Sequence, residues 1–221
     1  AHVLRPAFWP TTHDILTPQM TSGGTAVFAL RAMLAATASP TWGIYSGYEL
    51  VENVQRPGYE EQIDNEKYEF KPRDWERAEM FGISNLLQSL NRARAAHPAL
   101  QQLHQISILG TSSDKVIAFS KHVPARFSPS GEDDTMIVVI GLDPHSEVFS
   151  EVYISAENLW APDTKNPDSP ASWRVGHPFT LNLVDELDGE EYTWGPVGFV
   201  KLSPWERMGH VFWVKSFQME A

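Results

Sequence analysis

Along residues 23–38 the apolar side chains Ala26, Val27, Phe28, Leu30, Met33, Leu34 and Ala35 recur at i, i+3, i+4 and i+7. That spacing stacks them on one side of a helix, and Pro40 marks its end. The next run, Thr41-Trp42-Gly43-Ile44-Tyr45-Ser46, is short, aromatic and β-branched, which predicts a buried strand. A helix followed by a buried strand is an α/β unit. Residues 47–72 are rich in polar and turn-forming types with no sustained period, so a long loop is expected, and such loops in compact domains are usually functional. A second helix is predicted from Asp74 to Ala96, with Leu86, Leu87, Leu90 and Ala93 on one side and Pro98 limiting it.

From about Leu103 the period changes to that of strands. Candidates are Gln105 to Leu109, Lys115 to Ser120, Thr135 to Gly141, Val148 to Ser155, Phe179 to Val184, Gly198 to Leu202 and Val211 to Val214, separated by Gly, Pro, Asp and Ser clusters. Short strands in series without helices between them predict an antiparallel β-sandwich. The expected division is therefore 1–103, of α/β type, and 104–221, all-β. Ala161 to Pro170 reads as a long surface loop.

The charge balance narrows the partners. The net charge of −11 opposes binding to nucleic acid or to an anionic membrane, and favours a neutral ligand. A phosphorylated substrate would need a local cationic or amide-lined pocket. The absence of Cys excludes disulfides and thiolate metal sites and is compatible with a reducing cytoplasm. The eight histidines are scattered without metal-ligand spacing, so neither a metal nor a cofactor is expected. Gly23-Gly24 lacks the further residues of a phosphate loop.

Two segments carry candidate chemistry. Phe8-Trp9-Pro10-Thr11-Thr12-His13-Asp14 delivers a His-Asp pair at a predicted strand end, where α/β barrels keep their catalytic groups. The Asp14 carboxylate there suits two vicinal sugar hydroxyls, with His13 donating a third bond; the plainer alternative is that Asp14 caps a turn. Ser39 to Glu49 places a strand, a glycine turn, an aromatic and an acid in succession.

Together these segments resemble two signature regions of the α-amylase superfamily, the one ending in Asn-His-Asp and the Gly-x-Pro-x-x-Tyr-Tyr-Gly-x-Glu strand. Thr12 departs from the usual Asn. Thr12-His13-Asp14 with Ile15-Leu16 behind it, and the run Asp64 to Trp75, are very similar to the bacterial α-1,4-glucan:maltose-1-phosphate maltosyltransferases. The resemblance implies the last βα units of a (β/α)8 barrel, strands seven and eight, followed by the β domain. It also implies α-maltose 1-phosphate and an α-1,4-glucan as partners, with Asp14 as transition-state stabiliser and His13, Lys67 and Tyr68 as substrate-binding residues. It further allows a homodimer.

The same resemblance puts the nucleophile and general acid of a retaining mechanism ahead of Phe8. Since the chain opens at Ala1 without Met or a preceding turn signal, a fragment or processed chain is expected, inactive alone. Two competing readings are another α-glucan hydrolase or transglycosylase of the superfamily, and a non-catalytic glycan-binding or dimer-forming module.

Overall fold

The computed structural model describes residues 6–64, 70–80, 82–103, 105–159 and 178–219. Strands β1 (Ala7–Phe8) and β2 (Thr41–Trp42) pair in parallel, joined through helices α1 (Pro18–Ser22) and α2 (Gly24–Ala38). Helices α3 (Glu76–Met80) and α4 (Ser84–Ala96) follow the long loop. The helix predicted from Asp74 to Ala96 is thus two helices. At the break Gly82 is required, since a Cβ there would lie 2.0 Å from the Glu49 carbonyl oxygen, and the Ile83 N–H donates to that same oxygen at 3.1 Å rather than to a helix carbonyl.

Among the described residues, the remainder forms one antiparallel sheet: β3 (Ile106–Thr111), β4 (Val116–Val123), β5 (Asp134–Gly141), β6 (Val148–Tyr153), β7 (Phe179–Asp185), β8 (Glu191–Trp194), β9 (Val197–Leu202) and β10 (Gly209–Met219), with a one-turn helix, α5 (Ala156–Leu159), after β6. The order is β8-β7-β10-β5-β4-β3-β6-β9. Strand β3 is the corner: Ile106 to Leu109 pair with β4, while Gly110 and Thr111 pair with β6. The sheet therefore curls on itself, and Ile137, Leu183 and Phe212 from one half meet Val152, Val200 and Leu202 from the other in a single apolar cluster. Instead of two separate sheets, a nearly closed barrel-like sheet encloses the core. Strand β8 was not among the predicted strands, since its four residues, Glu-Tyr-Thr-Trp, are too few to show alternation.

A second cluster lies between the other face of β4, β5 and β10 and the helices. Phe28, Leu90 and Leu100 meet Phe119, Met136, Val138 and Val211 there. Strand β5 is buried at every position, because its odd and even residues serve the two clusters in turn. Helix α2 is buried on nearly all sides, α4 along one stripe. Full burial of each such Leu, Val or Phe contributes about 1.5–3 kcal/mol.

Polar groups fix how the helices sit. The carbonyls that end α2 are met by Lys121, whose Nζ donates to Thr37 O at 3.1 Å, and by Arg94, which donates to Ala36 O, Ser39 O and Pro40 O. Cations at a helix C-terminus offset its unpaired carbonyls and its dipole, and here they also aim the chain into β2. At the end of α4, His97 Nδ1 lies 2.8 Å from Asp134 and Nε2 3.3 Å from Glu186, while Asp134 also accepts the Ala99 N–H at 2.8 Å. Among the described residues, no helix is long and apolar enough to cross a membrane.

Candidate functional site

Parallel pairing of Ala7 with Thr41 and Phe8 with Trp42 brings the C-terminal ends of β1 and β2 to the same edge. The pairing continues one step, Gly43 N–H donating to Phe8 O at 3.0 Å. The segments after the two strands, Trp9 to Asp14 and Gly43 to Gly47, thus emerge side by side. Pro10 stops β1 from extending. The Trp9 indole lies against Gly43, where an added Cβ would be 2.6 Å from the ring. Gly43 is therefore what lets the two segments close up.

Trp9, Thr12, His13, Asp14 and Tyr45 line an open cavity of about 340 Å³. The His13 and Tyr45 rings are 6.1 Å apart and tilted by 42°. Asp14 is well exposed and its Oδ2 is 2.9 Å from His13 Nε2, yet the two are not aligned for a hydrogen bond and Nε2 has no hydrogen-bond partner. A buried polar atom without a partner is uncommon, and this one lies beside the Asp14 carboxylate. The turn is capped by a different residue: Asp14 N–H donates to Thr12 Oγ1 at 3.3 Å. Capping falls to Thr12, so the carboxylate of Asp14 stays on the cavity.

The long loop is folded back against this edge. Gln62 N–H donates to His13 O at 3.1 Å and Leu16 N–H to Glu60 O at 2.7 Å, and Gln55 Nε2 donates to Leu16 O. Gly47, at φ 99°, gives the left-handed turn that starts the loop, and any side chain there would meet the Glu52 carboxylate at 2.1 Å. Glu52 is the hub: it accepts from Arg73 Nε at 2.9 Å and Nη2 at 3.1 Å, and pairs with Lys71 at 3.3 Å. Lys71 also reaches Asp64 at 3.8 Å. Glu49 accepts the Gly47 N–H at 3.1 Å, an orienting role.

Of the predicted site residues, His13 and Asp14 are together on the cavity. Lys67 and Tyr68 lie outside the described residues, as does the Ala161 to Pro170 loop. The residues that sequence reasoning passed over as individuals are Trp9 and Tyr45, the aromatic walls, and Glu52 with Arg73 and Gln62, which fasten the loop. The aromatics were visible as rings beside the two turns. The Glu52–Arg73 pair, 21 residues apart, left no local signal. Among the described residues, no group of three or more His, Asp or Glu is placed to hold a metal ion.

Residues 108–214 match the family model described as GLGE, C-terminal. Over 215 residues the chain is 47% identical to the α-1,4-glucan:maltose-1-phosphate maltosyltransferase of Arcanobacterium haemolyticum, covering 97% of this chain and 30% of that protein. Over 208 residues it is 45% identical to the enzyme of the same name from Bifidobacterium longum, covering 94% of this chain and 26% of the relative. By these matches the chain is similar to the maltose-1-phosphate maltosyltransferases, and to the C-terminal part of that family over residues 108–214. It spans between about a quarter and a third of the length of these curated relatives. In fold the chain is similar to solved structures: the crystal structure of AmyP in complex with maltose aligns with TM-score 0.60 over 98% of this chain and 42% of that one at 13% identity. A γ-CGTase from an alkalophilic Bacillus clarkii aligns with TM-score 0.54 over 94% and 26% at 16% identity. At those identities the likeness concerns fold alone.

Proposed function

We propose that this chain is the C-terminal part of an enzyme that transfers maltose from α-maltose 1-phosphate to the non-reducing end of an α-1,4-glucan, with retention of configuration and release of phosphate. The observation that carries the reading is the His13–Asp14 pair on an aromatic-walled cavity, in a chain whose relatives are named for that transfer. In this reading β1 and β2 are barrel strands seven and eight, and the division between barrel and β domain falls near residue 103. Asp14 holds hydroxyls of the reacting ring and strengthens its hold as the oxocarbenium ion develops. His13 donates to the same ring, and Trp9 and Tyr45 pack on the faces of the sugar. Lys67 and Tyr68 bind the distal glucose.

The reacting carboxylates come from the part of the enzyme ahead of Phe8. One attacks C1 as the bond to phosphate oxygen breaks and the other protonates the departing phosphate; the acceptor hydroxyl then displaces the first carboxylate and gives its proton to the second. The 221-residue chain alone is therefore inactive. Full-length enzyme mixed with maltose 1-phosphate and maltohexaose should release phosphate and lengthen the acceptor by two glucose units. Release of free maltose without lengthening would overturn the transfer reading in favour of a hydrolase, and phosphate release by residues 1–221 alone would overturn the placement of the carboxylates.

A further inference from the structure

A second concave site lies on α2, lined by none of the residues of the first cavity. Its floor is Ala26 and Met33, its rim is Asp188, Trp205, Glu206 and Arg207, and its volume is about 310 Å³, at the lower end of the roughly 300–1,000 Å³ of small-ligand sites. Trp205 is 73% exposed, an unusual position for so large an apolar ring. Its exposure does not come from a loose loop. Ser203 N–H donates to Arg207 O at 2.8 Å and Arg207 N–H to Ser203 O at 2.9 Å, the Trp205 N–H donates to the buried Ser203 Oγ at 3.3 Å, and Pro204 restricts the turn further. The indole is held out on a fixed turn.

The rim beside it is polar and equally fixed. Arg207 donates to the fully buried Asp185 at 2.8 Å and pairs with Asp188, and Glu206 is open to solvent with Lys201 at 3.9 Å. Two carboxylates with one guanidinium disfavour an anionic ligand. An apolar partner would strip water from Asp188 and Glu206 without replacing it. A neutral polyhydroxylated ligand satisfies both demands, offering hydroxyls to the carboxylates and guanidinium and an apolar C–H face to the indole.

We infer that this groove is a glucan-binding site apart from the catalytic cavity, in which Trp205 stacks on a sugar ring of an α-linked chain while Asp188, Glu206 and Arg207 bind its hydroxyls. Its effect is to hold a long acceptor on the enzyme between transfers. The choice of ligand rests on the proposed α-glucan activity.

The test uses the full-length enzyme in native gels cast with and without amylopectin, alongside phosphate release with maltohexaose as a short acceptor. Wild type should be retarded, and Trp205→Ala should weaken the retardation constant about tenfold. Trp205→Phe should keep most of the retardation, because it keeps a stacking ring, and phosphate release with maltohexaose should be unchanged in both. Equal retardation of Trp205→Ala and wild type would overturn the inference, as would Trp205→Phe failing as badly as Trp205→Ala. Trp205-dependent retardation in a protein that releases no phosphate would leave the glucan site standing and sink the maltosyltransfer reading instead.

Discussion

Strand β5 buries all eight of its residues, whereas Trp9 and Asp14, just past the end of β1, stand open on a cavity. The two regions are held by different forces. Around β4, β5 and β10 the order comes from apolar packing on both faces, with Lys121, Arg94 and His97 as the few buried cations. Around the cavity it comes from backbone hydrogen bonds between the His13–Leu16 segment and the loop, and from ion pairs centred on Glu52. The groups that line the cavity therefore carry little of the folding free energy, and the groups that carry it lie away from the cavity.

The widest separation should come from Asp14→Asn in the full-length enzyme. Loss of a charged acceptor that tightens in the transition state should lower kcat about a thousandfold, while the melting temperature stays that of wild type. A melting temperature lowered along with kcat would break the contrast. The converse substitution, Phe119→Ala, removes a buried ring and should cost about 3–5 kcal/mol in urea unfolding. Under folding conditions the kcat of its folded fraction should be unaltered.

The pH response sharpens the comparison. Burial works to lower the His97 pKa, but hydrogen bonds and charges from Asp134 and Glu186 outweigh it and raise the value to about 9. The folded state thus binds this proton more tightly than the unfolded chain, so the stabilisation is fully present below pH 6.5 and is lost as pH rises through about 9. Lys121 has the opposite sign: burial first, and the Arg94 charge second, lower its pKa to about 8, so its penalty is full below pH 8 and is relieved as pH rises towards 10.5. Replacing His97 by Gln should flatten the decline in melting temperature between pH 6.5 and 9. An unchanged slope would remove His97 from the account. The smallest expected effect on stability is that of Glu52→Gln. Release of Lys71 and Arg73 should change unfolding free energy by less than about 1 kcal/mol but raise the KM for the glucan severalfold, as the loop loses its fastening. An unaltered KM would separate the loop from the site.

Much of the layout was legible in the chain. The helix expected at 23–38 is α2, legible from local periodicity, but the single buried face expected of it is widened by packing to nearly all sides, Ala32, Ala36 and Thr37 included. Seven strands of the β region were readable because each alternates or runs apolar over enough residues, between Gly, Pro and Asp breaks. His13 and Asp14 stood out as polar groups directly after an apolar strand. What failed was whatever depended on a distant neighbour. At the break between α3 and α4 the Ile83 N–H bonds the distant Glu49 carbonyl and only glycine fits at position 82, and the strand predicted over Thr41 to Ser46 is shortened to β2, the chain beyond Gly43 passing to the cavity at Tyr45.

Periodicity, breakers and charge by themselves determined the element types, the strand-rich second half and the candidacy of His13 and Asp14, since these depend on each residue's own shape and its near neighbours. Tertiary structure alone decided that β3 turns the corner of a nearly closed sheet, that Thr12 caps the turn and leaves Asp14 on the cavity, and that Glu52 gathers Lys71 and Arg73. Each of those outcomes is a choice among partners. A hydrogen bond or ion pair contributes too little to be inferred from composition, and it forms where the packed core has already brought its two ends together.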